Sequence, residues 1–210
     1  MYILAMPVER FLPDPPRLRL EPMLRFQRYR NLDQVAPAIR DAAEAMRRLV
    51  EGLAAPEVMF LTKSVDRVGF DTLHLVDGPT FHGRCFGNHL TSAGEVVCFL
   101  GTIGPAVDAR VSQMAETDEL LEALFVETAG WLAIEDALRK FRGHLTARLR
   151  PKGLRLSPRL GPGYVDWPLT EQAEFFPMFR GTSLPVSLSE YCVMTPKKSI
   201  SGLFGLIPAP

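Results

Sequence analysis

The sequence predicts an α+β domain in which a curved, mostly antiparallel sheet is flanked by helices. Three observations carry this expectation. Short runs rich in β-branched and aromatic residues, Val58 to Thr62, Phe70 to Val76 and Val96 to Leu100, are separated by turn signals such as Asp77-Gly78-Pro79 and Ser92-Ala93-Gly94. Two stretches, about 33 to 53 and 118 to 149, carry apolar residues at helical spacing. A length of 210 residues with 47% apolar and 23% charged content suits one sizeable core, so residues 1–210 are expected to form a single domain.

Taken in order, residues 1 to 30 read as short extended pieces broken by prolines, with Met23 to Tyr29 as a strand. Asn31 or Asp33 can cap a helix to about Leu53, because Val35, Ile39, Ala42, Met46, Leu49, Val50 and Leu53 share one face. After the strand at Val96, Gly101-Thr102-Ile103-Gly104-Pro105 reads as a strand-to-helix turn, since it matches neither common phosphate-binding glycine pattern. The helix from Asp118 to about Leu149 places Leu120, Leu121, Leu124, Thr128, Trp131, Leu132 and Leu138 on one predicted core face. Glu135 falls within that face, and a carboxylate there needs a partner. Arg139 at i+4, Arg159 or a ligand are the alternatives, with Glu127 a second choice for the ligand role. Asp166 and Pro168 are expected to open a further helix through Phe175, Phe176 and Phe179 to Gly181, with the phenylalanines in the core. Val186 to Met194 and Ser199 to Ile207 read as a hairpin around Thr195-Pro196-Lys197-Lys198, whose lysines either solvate the turn or meet an acidic partner.

Composition narrows the function. Lys plus Arg equals Asp plus Glu at 24 each, which gives no field to gather nucleic acid or an anionic membrane. Met1 to Met6 is apolar too briefly for a leader or a span, so a cytoplasmic protein is expected. Cys85, Cys98 and Cys192 are odd in number and widely spaced, as reduced thiols are. The spacing His82-x-x-Cys85-x-x-x-His89 is not that of a common zinc module, and it reads as a loop with two exposed histidines. No nucleophile elbow, HExxH motif or cysteine–histidine pair signals acid–base or covalent chemistry.

The most specific stretch is Arg159 to Gly202. Gly161 and Gly163 flank Pro162 in a preformed turn that lets a ligand approach the backbone closely. Arg159 just ahead offers a planar fork of donors for a carboxylate or phosphate, and Tyr164 just after offers a flat face with a hydroxyl. Such groups suit a small anionic ligand bearing an aromatic ring. The plainer alternative is an ordinary loop with a surface arginine.

Arg159-x-x-x-Gly163-Tyr164, then Pro168, Leu188-Ser189-Glu190, Met194, Pro196 and Ser199-Ile200-Ser201-Gly202, resemble the activation domain of cobalamin-dependent methionine synthase. The run from Gly161 to Gln172 and the run from Val193 to Gly205 are more like its short, stand-alone relatives. The resemblance covers the last third of the chain well and extends more faintly back to Val96. It implies the family fold and a site for S-adenosylmethionine, with Arg159, Gly161, Gly163 and Tyr164 as cofactor-binding residues and Glu135 as the match to a glutamate on the long helix. It further implies reductive reactivation, in which the methyl group of S-adenosylmethionine passes to cobalamin. That cobalamin would be carried by a separate methyltransferase subunit, and the electron would come from a donor such as a flavodoxin or ferredoxin. The chain departs from the full-length pattern at Val165-Asp166-Trp167 and ends soon after Gly202. Two alternatives stand beside this: a docking subunit that no longer binds S-adenosylmethionine, and a reactivation factor for another corrinoid methyltransferase system.

Overall fold

Along Val58-Met59-Phe60-Leu61 every side chain is buried, because the strand is covered on both faces: Val58 and Phe60 enter one core, Met59 and Leu61 the other. The same alternation runs through Val96 to Leu100, with Val97 and Phe99 on the first side and Val96, Cys98 and Leu100 on the second. The computed structural model of the chain describes residues 7–164 and 166–209. The strands β1 (Glu9–Phe11), β2 (Glu57–Val68), β3 (Thr72–Leu75), β4 (Thr80–His82), β5 (Glu95–Thr102), β6 (Leu154–Leu156) and β9 (Ser199–Pro208) form one sheet. Its order is β4-β3-β2-β5-β9-β6, every pairing antiparallel, with β1 sharing the β3 edge of β2. The predicted α+β class and antiparallel sheet are present.

Helices α1 (Leu20–Phe26), α2 (Pro37–Leu53), α4 (Ala106–Glu116) and α5 (Leu120–Leu149) cover the first face. Phe141 of α5 sits at its centre, in contact with the rings of Phe60, Phe99 and Phe204. The short helices α3 (Arg84–His89) and α6 (Gln172–Phe175), with the aromatic knot Phe81, Phe86, Trp167 and Phe175, cover the second.

Several expectations are corrected. Met23 to Tyr29 is not a strand: Leu20–Phe26 is helical, with Met23 and Leu24 both buried and a Glu21–Arg25 pair at 2.8 Å one turn apart. Asn31 caps only the turn Leu32–Gln34, and α2 begins at Pro37. On α5 Thr128 and Leu138 are buried as expected, but the rest of the buried side is Phe125, Val126, Ala129, Ala133, Ile134, Ala137 and Phe141, while Leu120, Leu124 and Trp131 are exposed. Ala129, Ala133 and Ala137 lie on the buried side together with Leu138, Leu145 and Leu149, and Leu120 and Leu124 fall on the other side of the helix. Asp166 does not open the segment that follows it; its carboxylate instead accepts from the backbone N–H of Cys85 at 3.1 Å, in the first turn of Arg84–His89, and the Leu169–Phe179 segment is three short turns rather than one helix. Nor do Val186 to Met194 and Ser199 to Ile207 pair with each other. The strands β7 (Ser187–Leu188) and β8 (Met194–Thr195) make a small hairpin of their own, and β9 instead lies between β5 and β6. The reading of Met1 to Met6 lies outside the described residues; among the described residues no helix is long and apolar enough to cross a membrane.

The three cysteines are free. Burial, aided by the neighbouring Asp166 charge, pushes the Cys85 thiol up to about 11, and burial pushes that of Cys98 up to about 12. Both are therefore neutral thiols at pH 7, whereas Cys192 is half-buried. Iodoacetamide at neutral pH is expected to label Cys192 in the native chain, with Cys85 and Cys98 labelled only after denaturation, as mass spectrometry of the peptides would read.

Candidate functional site

The Gly-Pro-Gly turn is fastened to the sheet before it reaches open space. Leu160 exchanges two backbone hydrogen bonds with Leu203 on β9, at 3.0 and 2.8 Å. Gly202 makes that approach feasible, because a Cβ there would lie 2.6 Å from the Leu160 carbonyl oxygen. Tyr164 N–H then donates to the Gly161 carbonyl at 3.1 Å and Gly163 N–H to the Trp167 carbonyl at 2.8 Å, with Gly163 at φ +87°. Beyond the turn, the buried Trp167 donates its indole N–H to Glu171 at 2.7 Å, and Glu171 also accepts from the backbone of His82. The turn is thus held from both sides, and its tyrosine is left 53% exposed.

Tyr164 faces a groove of about 440 Å³, within the range of small-molecule pockets. One wall is the Pro162–Tyr164 turn with Leu169; another is the segment from Val193 to Ser201, including Lys197; Trp131 of α5 closes the third side. The floor is polar but satisfied: Gln172 accepts from the Ser201 hydroxyl and donates to the Cys192 carbonyl, both at 3.3 Å. Its described lining holds no histidine, cysteine or carboxylate. Such a site can bind, stack and orient a ligand, and its titratable lining side chains are Tyr164 and Lys197.

Of the predicted site residues, Gly163 and Tyr164 line the groove, while Gly161 lies behind it, where a Cβ would meet the Ser201 carbonyl oxygen at 3.0 Å. Arg159 and Glu135 are brought together, the guanidinium donating to both carboxylate oxygens at 3.1 and 3.0 Å. Glu135 is one turn beyond Trp131 on α5, so the pair stands beside the Trp131 wall rather than in the lining. The carboxylate is 54% exposed, not part of a core face, and Arg139 pairs instead with Asp136. Of the alternatives weighed for Glu135, the pair with Arg159 is the one present.

Sequence reasoning missed three members of this region. Trp131 reads as core and is a groove wall; Gln172, for which the sequence suggests no role, is buried in the floor; Lys198 reads as solvating a turn and has no exposed surface at all. The spacing Leu124 to Trp131 to Glu135 on α5 was a usable signal, because it puts an aromatic and a carboxylate on one exposed stripe. The His82, Cys85 and His89 cluster does not assemble: Cys85 and Phe86 of α3 point into the core, and both histidines are exposed. Among the described residues no group of three or more His, Cys, Asp or Glu side chains is gathered for a metal ion.

No protein-family model matches the chain, and no curated protein matches it. Among solved structures, a crystal structure of the MetH reactivation domain bound to AdoHcy superposes with a TM-score of 0.63 at 14% sequence identity, covering 99% of this chain and 80% of that chain. At that identity the likeness carries the fold: this chain has the architecture of the MetH reactivation domain, the same family that the Arg159 to Gly202 motifs resemble.

Proposed function

We propose that the chain binds S-adenosylmethionine in the groove beside Tyr164 and serves as the reactivation subunit of a split cobalamin-dependent methionine synthase, methylating cobalamin carried by a separate subunit. The observation that carries this reading is the coincidence, on that fold, of an aromatic-walled groove and the Arg159–Glu135 pair at its side. The residues suit the ligand class. Trp131 and Tyr164 offer flat faces for a purine, and Gly163 keeps the wall open where a Cβ would crowd Leu169 at 3.0 Å. Arg159 and Glu135 are an opposite-charge pair that an amino acid can mirror, with carboxylate to guanidinium and ammonium to carboxylate.

The chemistry required of this chain is small, which agrees with a described lining that holds no histidine or carboxylate. The methyl–sulfur bond of a sulfonium breaks with its electron pair going to sulfur, so the leaving group is a neutral thioether that needs no proton. Binding, orienting and excluding water are what remain for the protein. Leu120, Leu124 and Trp131 form an exposed apolar stripe on α5 that continues to Tyr164, Leu169 and Val193 around the groove. An unpartnered patch of this kind at the mouth of the site supports docking of the corrinoid subunit there.

Calorimetry with S-adenosylhomocysteine tests the binding step. Saturable heat with a Kd between about 1 μM and 1 mM, roughly 4 to 8 kcal/mol, is expected. Neither heat nor a thermal shift at millimolar ligand would remove this function and leave a docking subunit.

A further inference from the structure

Lys198 is the most deeply buried charge among the described residues, with 0% of its surface exposed. Its Nζ lies 2.7 Å from Glu127 Oε1 and 3.4 Å from Asp108 Oδ1, and 5.6 Å from the centre of the Trp131 ring. Asp108 also accepts the backbone N–H of Lys197, so one α4 carboxylate holds two successive residues of the turn before β9. The backbone carbonyl of Lys198 accepts from Ile103 N–H at 3.2 Å, which fixes the turn to the end of β5. Space for the side chain is made by Gly130 in the middle of α5. A Cβ there would stand 2.9 Å from Lys198 Cε and 3.1 Å from Val107 Cγ1.

Two unfavourable choices therefore meet at one point: a desolvated ammonium and a glycine inside a helix. A hydrophobic side chain would fill the same space without either. What the lysine adds is a connection, because it joins α5, which carries Trp131, to the turn that carries Lys197 and Ser199, and those residues belong to two different walls of the groove. We propose that Lys198 is a positioning residue of the groove, holding the Trp131 wall and the Lys197–Ser199 wall at the spacing the ligand needs. The proposal rests on the S-adenosylmethionine reading above and adds to it a residue outside the Arg159-x-x-x-Gly163-Tyr164 motif.

Two variants test it by different routes. Lys198→Met removes the charge and keeps the length, so no unpaired ammonium is left in the core; Gly130→Ala keeps the charge and pushes the side chain aside. Both are expected to weaken S-adenosylhomocysteine binding by about tenfold or more, since a displaced wall misplaces the ligand. A spectroscopic readout separates positioning from general stability. Of the two tryptophans, Trp131 is 39% exposed and Trp167 1%, so acrylamide quenching reports on Trp131. In the parent chain the ligand should shield Trp131; in both variants quenching of the free protein should rise and the shielding should be lost. Variants that bind within twofold of the parent, or that lose only resistance to urea, overturn the proposal. Should the parent itself not bind, the S-adenosylmethionine reading falls, and unchanged Trp131 quenching in both variants would then overturn the positioning role independently.

Discussion

Arg159→Ala is expected to lower the affinity for S-adenosylhomocysteine by about 10- to 100-fold while leaving the fold in place. The magnitudes decide both halves of that statement. A hydrogen bond to a charged group contributes about 1.5–3 kcal/mol, and each 1.4 kcal/mol is about tenfold in Kd. The stability cost is small by comparison. Arg159 and Glu135 have side chains 30% and 54% exposed, and an ion pair of that exposure contributes roughly 0–1 kcal/mol to folding. Arg159→Lys should fall between parent and alanine, because an ammonium keeps the charge and loses the two-point geometry. Glu135→Gln is the informative companion. In the free chain Glu135 accepts from both Nη1 and Nη2 of Arg159, so removing its charge loosens the arginine for the ligand and also deletes the acceptor for the ligand's ammonium. The exposed pair is worth less than the lost contact, so the net effect should be weaker binding, smaller than for Arg159→Ala. Titration calorimetry on the three variants, with far-ultraviolet circular dichroism as the control, gives the order. If all three bind as the parent does, the arginine pair is a surface ion pair without a ligand role.

The parts of this region that were legible in the sequence are those set by local chemistry. Gly161-Pro162-Gly163 announces a turn because its backbone demands are met by the residues themselves, and the continuous apolar run Val96 to Leu100 behind the Ser92-Ala93-Gly94 turn signal announces a buried strand in the same way. What was illegible depends on distant partners. A lysine in a turn reads as solvated, and Lys198 is buried only because Asp108, 90 residues earlier, and Glu127 come to meet it. The β9 strand was assigned to the hairpin its neighbours suggest; its actual ladder with β5 spans Ser199 to Leu206, a long-range pairing that outweighs a two-residue local one. On α5 the leucines were weighted by size, whereas Ala129, Ala133 and Ala137 at successive turns mark the buried side, so the outward leucines and Trp131 were misread as core. The error concealed the groove wall.

The largest effect is expected when the chain is supplied to its proposed partner. A cobalamin-loaded methionine synthase lacking its own activation domain, given an electron donor and S-adenosylmethionine, should return from the oxidised cobalt(II) form to the methylated form only when this chain is present. The reason is mass action. The one-electron reduction is unfavourable, so the reduced corrinoid is scarce, and it reoxidises unless a methyl donor held in line with the cobalt removes it faster. On the proposed reading the chain supplies that donor, while the cobalt takes the methyl group as the sulfur recovers its electron pair. Docking through the exposed Leu120, Leu124 and Trp131 stripe should be transient, because normal turnover requires the same corrinoid face to be free. Leu124→Asp is therefore expected to abolish reactivation while leaving S-adenosylhomocysteine binding within about twofold, since it adds a charge to the apolar docking stripe without touching the groove. The visible spectrum of the corrinoid is the readout. Equal recovery without the chain, or recovery only with the corrinoid protein of a different methyltransferase system, would take the methionine synthase partner away and leave reactivation of that other system in its place.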